Sequence, residues 1–467
     1  MAFNSLTFVF ILGPLFFAVF YSVPARWRNP VCLGFSLFFY AWAEPIFIFV
    51  AIVSSLLDFW IVALFAPMPA GRLRQLLAGI GVAQGLAILL YFKYAAFLYG
   101  ALAALTGMSP AVPEVLSPLL PLAISFITFE KITYVVDNYR GTGRQTRSIV
   151  DYLTYIFLFP KLIAGPIVKY HEIAPYLAKH ATHVDDFAVG LLRFGLGLAK
   201  KILIADNLAA TVNTAFGTPP DQLSSANAWL GAVCFTFQIY FDFSGYSDMA
   251  IGMARMMGFP LRENFNQPYR AVNFTDFWHR WHISLSTWIR DYLYIPLGGN
   301  RVPKWRMYVN LVVCFALSGL WHGAAWTFLL WGLYHGAFLV ADRIGLARLA
   351  RTVPAAANIA LTFALVMIGW VLFRAPTIAD AFGYLHAMVD PGRDVPPVVF
   401  LDQNILITLC AAAVISFVPE SWVMAAPKSV PATRRELMAS VAIALLFVWA
   451  GCRLAAATFT PFLYFRF

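Results

Sequence analysis

Apolar positions along this chain come in long unbroken runs, not in the alternation of a strand or the narrow stripe of a soluble helix. About 20 apolar residues are enough for a helix to cross a bilayer. Runs of that kind lie near 3–23, 30–50, 51–66, 76–104, 116–136, 186–205, 224–247, 306–331, 355–373, 401–418 and 436–456. The pattern predicts an all-α, polytopic membrane protein with about eleven spanning helices. Glycine and proline interrupt several runs, so some are expected to be half-helices.

Charges between the runs give an orientation, because short cytoplasmic loops carry an excess of Lys and Arg. Arg26 and Arg28 follow the first run, Arg72 and Arg74 precede the fourth, and Arg140, Arg144 and Arg147 follow the fifth. Placing all three groups inside puts the N-terminus outside. The opening run lacks a basic leader and an A-x-A cleavage pattern, so it reads as a retained first span. Beyond residue 150 the pattern changes. Residues 155–170 (YIFLFPKLIAGPIVKY) are broken by Pro160, Gly165 and Pro166 and are expected to form a re-entrant hairpin covered by other helices. Residues 258–305 are rich in aromatics, arginine and hydroxyls, and are expected to lie at the cytoplasmic interface as amphipathic helices. No repeat or soluble module interrupts the chain, which reads as one membrane-embedded domain over 1–467.

Composition agrees. Of 467 residues 61% are hydrophobic and only 12% charged, against about half and about a quarter in soluble domains. The net charge of +10 belongs to cytoplasmic loops rather than to a nucleic-acid surface. The five cysteines are scattered, mostly in apolar runs, with no CxxC pair, so they read as buried and inert.

Three stretches carry chemistry. In FTDFWHRWHISLSTWIRDYLYIPLGGNR, His279, His282, Ser284, Ser286, Arg290, Asp291 and Tyr294 fall close together, and helical spacing would put Trp278, His282 and Ser286 on one face. About forty residues on, LSGLWHGAAWTFLLWGLYHG sets His322 and His335 in an apolar run, with Gly319 and Gly323 beside His322. QIYFDFSGYSDMAIG places Asp242 and Asp248 at the end of another run. A histidine at membrane depth is costly and signals function by default. Its neutral imidazole can take a proton from an attacking hydroxyl. The competing reading is a helix–helix hydrogen bond, which suits His335, with Trp331 one turn back, better than His322. His279 and His282 alone do not make a metal site, and no metal is expected. Asp242 and Asp248 read equally as structural partners of arginines.

These stretches, together with SFITFEKITYVVDNYRG (125–141), LFPKLIAGPIVKYHEI (158–173), YFDFSGYSDMAIG (240–252) and PFLYFRF (461–467), resemble the membrane-bound O-acyltransferase family in its alginate O-acetylase-like bacterial branch. The resemblance runs in order along nearly the whole chain. It implies a bowl-like bundle, thin in the middle, with a central tunnel in the inner membrane. It implies an O-acetyltransferase with acetyl-CoA as donor substrate and no bound cofactor. The family's catalytic histidine falls on His322, and a second, variable position falls on His282. In this branch the acetyl group crosses the membrane, and a separate periplasmic protein passes it to an exopolysaccharide within a secretion machinery. The donor's phosphates are expected to meet Arg270, Arg280, Arg290 and Arg301, with Asp242, Asp248, Trp321 and Trp326 as further binding candidates. Peptidoglycan O-acetylation and teichoic-acid D-alanylation are alternatives within the family. The alternative outside it, a carrier of lipid-linked sugar, lacks inverted repeats.

Overall fold

A computed structural model describes residues 3–467 apart from 110, 144, 180–181, 393–394, 419–431, 457–461 and 464–467. Arg144 and most of the C-terminal 461–467 motif therefore lie outside the described residues. Among the described residues every regular element is helical. The chain divides into two compact units, one of residues 1–194 and 249–262, the other of 195–248 and 263–467.

The first unit begins with a π-turn (Phe8–Leu12) running into α1 (Gly13–Ser22), followed by α2 (Arg28–Ala43), α3 (Phe47–Phe65), α4 (Arg72–Leu89), α5 (Ala95–Thr106) and α6 (Ile124–Arg140). The run expected to cross from residue 116 becomes helical only at Ile124, because Pro118 and Pro121 keep the preceding chain out of the α region. Then come α7 (Ile149–Phe157), α8 (Phe159–Leu162), α9 (Tyr170–Ala178) and the first part of α10 (Val184–Ala199). The broken segment at 155–170 is buried throughout. Its non-helical backbone is satisfied by side chains of the covering helices, as irregular chain away from water must be. Phe159 N–H donates to Ser36 Oγ at 3.1 Å. The Tyr155 hydroxyl donates to the Val168 carbonyl at 2.9 Å. Charges buried here are paired: Lys161 with Glu130, and Lys131 with Asp58 at 3.5 Å, where Gln84 also donates to Asp58.

The second unit holds the end of α10, α11 (Asp206–Gly217), most of α12 (Ser225–Met256), α13 (Phe274–Arg280), α14 (Ile283–Ile289), α15 (Lys304–His322), α16 (Trp326–Ala341), a one-turn α17 (Ala347–Leu349), α18 (Ala355–Arg374), α19 (Ile378–Val389), α20 (Gln403–Phe417) and α21 (Ala432–Ala456). By length and composition, four helical segments among the described residues can cross a membrane: Phe47–Phe65, Arg72–Thr106, Ala355–Arg374 and Leu437–Ala456. The 306–331 run, expected to cross as one span, instead ends at His322 and turns back at 323–325 into α16. Of the five cysteines, all free, Cys32, Cys234 and Cys314 are buried as expected. Cys410 and Cys452 are exposed on apolar helices.

The α15–α16 hairpin is held by glycines. A Cβ on Gly319 would sit 2.1 Å from the Phe328 carbonyl oxygen, and one on Gly332 would sit 2.2 Å from that of Phe315. Small residues at such a crossing let two backbones touch, which is where membrane helices find their packing energy. In both cases the obstructing atom is backbone, so only separation of the helices could relieve a side chain. Gly319→Ala and Gly332→Ala should therefore each cost about 3 kcal/mol, the upper end of overpacking penalties. Gly34, with nothing within 4 Å of its would-be Cβ, should accept alanine and gain up to about 1 kcal/mol of helix propensity. Thermal unfolding of the purified variants in detergent reads both outcomes.

Candidate active site

His322 is the last residue of α15, and Gly323 leaves the helix in an extended conformation. The following turn faces Phe328, whose ring would lie 2.1 Å from a Cβ at Gly323. The His322 side chain, 4% exposed, is thus held at a helix end among aromatic rings. Centroids of Trp321, Trp331 and Phe373 lie 4.9, 5.1 and 5.3 Å from its own, all near perpendicular.

His282 sits in the break between α13 and α14, not on a continuous helix. Its backbone is left-handed (φ 44°, ψ 54°), a conformation that His visits more readily than most residues but that still costs of order 1 kcal/mol. The expected shared face of Trp278, His282 and Ser286 is therefore broken. Ser286 remains one turn on, its N–H donating to the His282 carbonyl at 3.0 Å, whereas Trp278 belongs to the preceding helix. The reason is an extended stretch at 264–266 that ties down the bend. Asn266 N–H donates to the Arg280 carbonyl at 2.9 Å, and Ile283 N–H donates to the Asn264 carbonyl at 3.0 Å.

The Asn264 side chain continues that tie. Its Oδ1 accepts from Ser284 N–H at 3.1 Å and from Ser284 Oγ at 2.9 Å. The same oxygen lies 3.1 Å from His282 Nδ1. A backbone N–H can only donate, so this atom of Asn264 is the oxygen, and the His282 tautomer that bonds it at 3.1 Å carries its proton on Nδ1, with Ser284 Oγ farther off at 3.5 Å. His282 is fully buried, and burial pushes its pKa down to about 3, so the ring is neutral. Nε2 then holds a lone pair and has no hydrogen-bond partner among the described residues. Phe243 packs edge-on at 4.7 Å, and the Trp321 ring, which touches His322, lies 6.0 Å away. One indole thus stands against both histidines.

His335 is engaged differently. Its Nδ1 accepts from Trp278 Nε1–H at 3.2 Å, with the Trp331 ring 4.7 Å away. This is the helix–helix hydrogen bond that competes with catalysis as a reading of a membrane histidine. Asp242 and Asp248 are buried, and each is ion-paired with a lysine. Lys201 bridges Asp242 (2.6 Å) and Asp206 (2.7 Å), and Lys200 meets Asp248 at 2.6 Å. Asp242 also accepts from Leu463 N–H at 2.9 Å, tying the C-terminal segment to α12.

A cavity of about 290 Å³ opens beside this site, lined in part by His279, Ser286, Arg290, Tyr294, Asn300 and Arg343. Ser318, one turn before His322, and Ile283, next to His282, also line it. Of the four arginines expected to meet a donor, only Arg290 is there, and Arg343, unremarked in the sequence, joins it. Arg280 pairs with Asp276 at 2.8 Å, Arg270 bonds Gln267 at 2.9 Å, and Arg301 is exposed away from the lining. Trp321 is buried between the histidines, while Trp326 is largely exposed at the start of α16. Asn264 was also missed. Its one sequence signal is a polar, turn-prone ENFNQPY stretch just before the RWHIS motif.

The sequence profile of the membrane-bound O-acyltransferase family matches residues 142–375, the half of the chain that holds both histidines and the cavity. Along its whole length the chain is 39% identical to the whole of a protein named probable alginate O-acetylase AlgI from Azotobacter vinelandii. The chain belongs to the membrane-bound O-acyltransferase family. It is 43% identical to the Pseudomonas aeruginosa protein of the same name, over 84% of this chain and 75% of that one. It is 34% identical to a peptidoglycan O-acetyltransferase of Helicobacter pylori, over 83% and 80%. As a member of this family the protein is an integral membrane acyltransferase.

The Trp278–His335 bond generates a test. Asparagine can present an oxygen near the position of Nδ1, whereas leucine cannot. His335→Leu should cost about 1–3 kcal/mol, the penalty for stranding a buried donor, and His335→Asn about 1 kcal/mol or less. Unfolding midpoints of the two variants measure the difference.

Proposed function

We propose that this acyltransferase takes an acetyl group from acetyl-CoA and passes it across the bacterial inner membrane for O-acetylation of an alginate-like exopolysaccharide. The observation that carries the chemistry is the pair of buried histidines sharing one indole, His282 with a bare Nε2. The polysaccharide rests on full-length similarity to a protein named alginate O-acetylase. Similarity to a peptidoglycan O-acetyltransferase supports a second acceptor, the cell-wall glycan.

In the proposed reaction the acceptor hydroxyl gives its proton to His322 as its oxygen attacks the thioester carbonyl. The C–S bond then breaks, and the thiolate leaves as the CoA thiol with the proton returned from His322. His282 in its neutral Nδ1–H form offers an acceptor at Nε2, which suits holding a neighbouring hydroxyl of the acceptor, because the attacking hydroxyl has one proton and that proton goes to His322. Polarising the carbonyl would need a donor there. Neither role requires a metal or a bound cofactor. The aromatic walls exclude water that would otherwise hydrolyse the thioester. Acetyl-CoA would enter the cavity from the cytoplasm with its phosphates against Arg290 and Arg343. We place these parts in a bowl of about eleven crossings around a central tunnel, with the N-terminus periplasmic. A periplasmic acetyl-carrying protein and the secretion machinery are the proposed partners for the final transfer to sugar.

Two outcomes test the reading. His322→Ala and His322→Gln should each cut transfer from acetyl-CoA by about 10²–10⁴-fold, the usual worth of a positioned general base, at normal protein level. Glutamine keeps a hydrogen bond but cannot take the proton, so polymer acetylation near wild type in His322→Gln would end the assignment. His282→Ala should be milder and His335→Ala milder still. For the donor, Arg290→Glu and Arg343→Glu should each raise the KM for acetyl-CoA about tenfold or more, the value of a charge-assisted bond. Arg301→Glu should leave it nearly unchanged, and equal effects from all three would remove the cavity from donor binding.

A further inference from the structure

We infer that Asn264 is a positioning residue that selects the tautomer of His282, so that Nε2 is presented to the acceptor molecule as a hydrogen-bond acceptor. The inference rests on the proposed role of His282 but adds a residue outside the histidine motifs, and it stands on four bonds of that residue. Asn264 Oδ1 takes the Ser284 N–H, which fixes the amide orientation. The same oxygen takes His282 Nδ1. The Asn264 carbonyl takes Ile283 N–H, and Nδ2 donates to Ser247 Oγ at 3.2 Å on α12. The amide is completely buried and anchored on both sides, so it cannot rotate to suit the ring; the ring must suit it.

An imidazole in water favours the proton on Nε2. Without Asn264 the same ring could turn a donor, not an acceptor, toward the substrate. A neighbour's hydrogen bond commonly decides which ring nitrogen carries the proton, and loss of such a partner alters function although it touches no substrate. The left-handed backbone at His282 points the same way. The bend brings Nδ1 to Asn264 and is held by bonds from the same residue, so strain and tautomer are set together.

The test uses full-length protein in lipid nanodiscs with ¹⁵N-labelled histidine, the His282 signals being assigned by their loss in His282→Gln. Wild type should show a protonated Nδ1 and a bare Nε2. Asn264→Leu should shift His282 toward the Nε2–H form. It should lower kcat on the order of 10²-fold, as loss of an orienting partner does, with the acetyl-CoA KM within about threefold. Asn264→Asp keeps an oxygen at the same place and should keep the proton on Nδ1, but its charge favours the imidazolium, so Nε2 gains a proton and kcat should fall near neutral pH and recover as pH rises. Ser284→Ala, which removes only the shared hydroxyl, should leave the tautomer unchanged. An Asn264→Leu protein that retains the Nδ1–H form and wild-type kcat overturns the inference. Should Asn264→Leu fail to accumulate, Asn264→Asp decides: loss of the proton from Nδ1 counts against it. Full turnover by His282→Gln would remove His282 from the chemistry, yet the tautomer measurement would still settle what Asn264 does to the ring.

Discussion

The backbone contact between α15 and α16 is the constraint on which the histidine cluster depends. In lipid there is no apolar surface to hide from water, so two helices associate through close packing. Here Gly319 rests on the Phe328 carbonyl and Gly332 on that of Phe315. That closeness lets Trp331, next to Gly332, reach the ring of His322 at the end of the facing helix. It also brings His335, one turn further on, under the α13 indole that donates to it. Phe373 and Trp370 of α18 complete the surrounding wall. Were the helices held apart by a methyl group, the rings would no longer meet, and His322 would end a helix in open space instead of in an aromatic enclosure.

A second constraint works at the level of single bonds. The chain from 264 to 286 is not long enough in either helix to hold itself. α13 and α14 have seven residues each, well short of what an isolated helix needs. Their relative direction comes from the extended 264–266 stretch and from caps. Asn273 accepts the Asp276 N–H at 2.8 Å, and Asp342 accepts both the N–H and the hydroxyl of Thr275 at 2.8 Å. Backbone strain at His282 is tolerable because so many bonds determine that turn.

Hydropathy made the class of the protein legible, along with helices whose apolar run is continuous, such as 47–65 and 355–374. It failed where the run conceals a turn. Averaging over 306–331 cannot register that Gly323, Ala324 and Ala325 are apolar and yet leave the helix, nor that glycines at 319, 332 and 336 face a partner helix and not lipid. Counting helix faces failed at His282 for a related cause. The carbonyl of Arg280 is taken by Asn266, so the helix that would have placed Trp278 above His282 stops between them. Both histidines were visible as ionisable groups in apolar or aromatic surroundings. Asn264 was not, because an asparagine in a turn-prone stretch is ordinary until its neighbours in space are known. Of the four arginines in the broken segment, Arg290 lines the cavity, together with Arg343 from a different helix, which spacing along the chain could not have indicated.

The choice of an amide to hold His282 has a physical consequence. The buried carboxylates Asp242 and Asp248 of this unit meet Lys201 and Lys200, where charge meets charge. Beside the fully buried imidazole stands a neutral acceptor. A carboxylate there would favour the imidazolium and would bring a charge into a fully buried site, at several kcal/mol unless fully paired. The amide fixes the tautomer without adding charge, so the ring stays neutral and its second nitrogen stays able to accept. Between Phe243 and Trp321, an oriented but uncharged acceptor is the form of histidine that the surroundings can hold at rest.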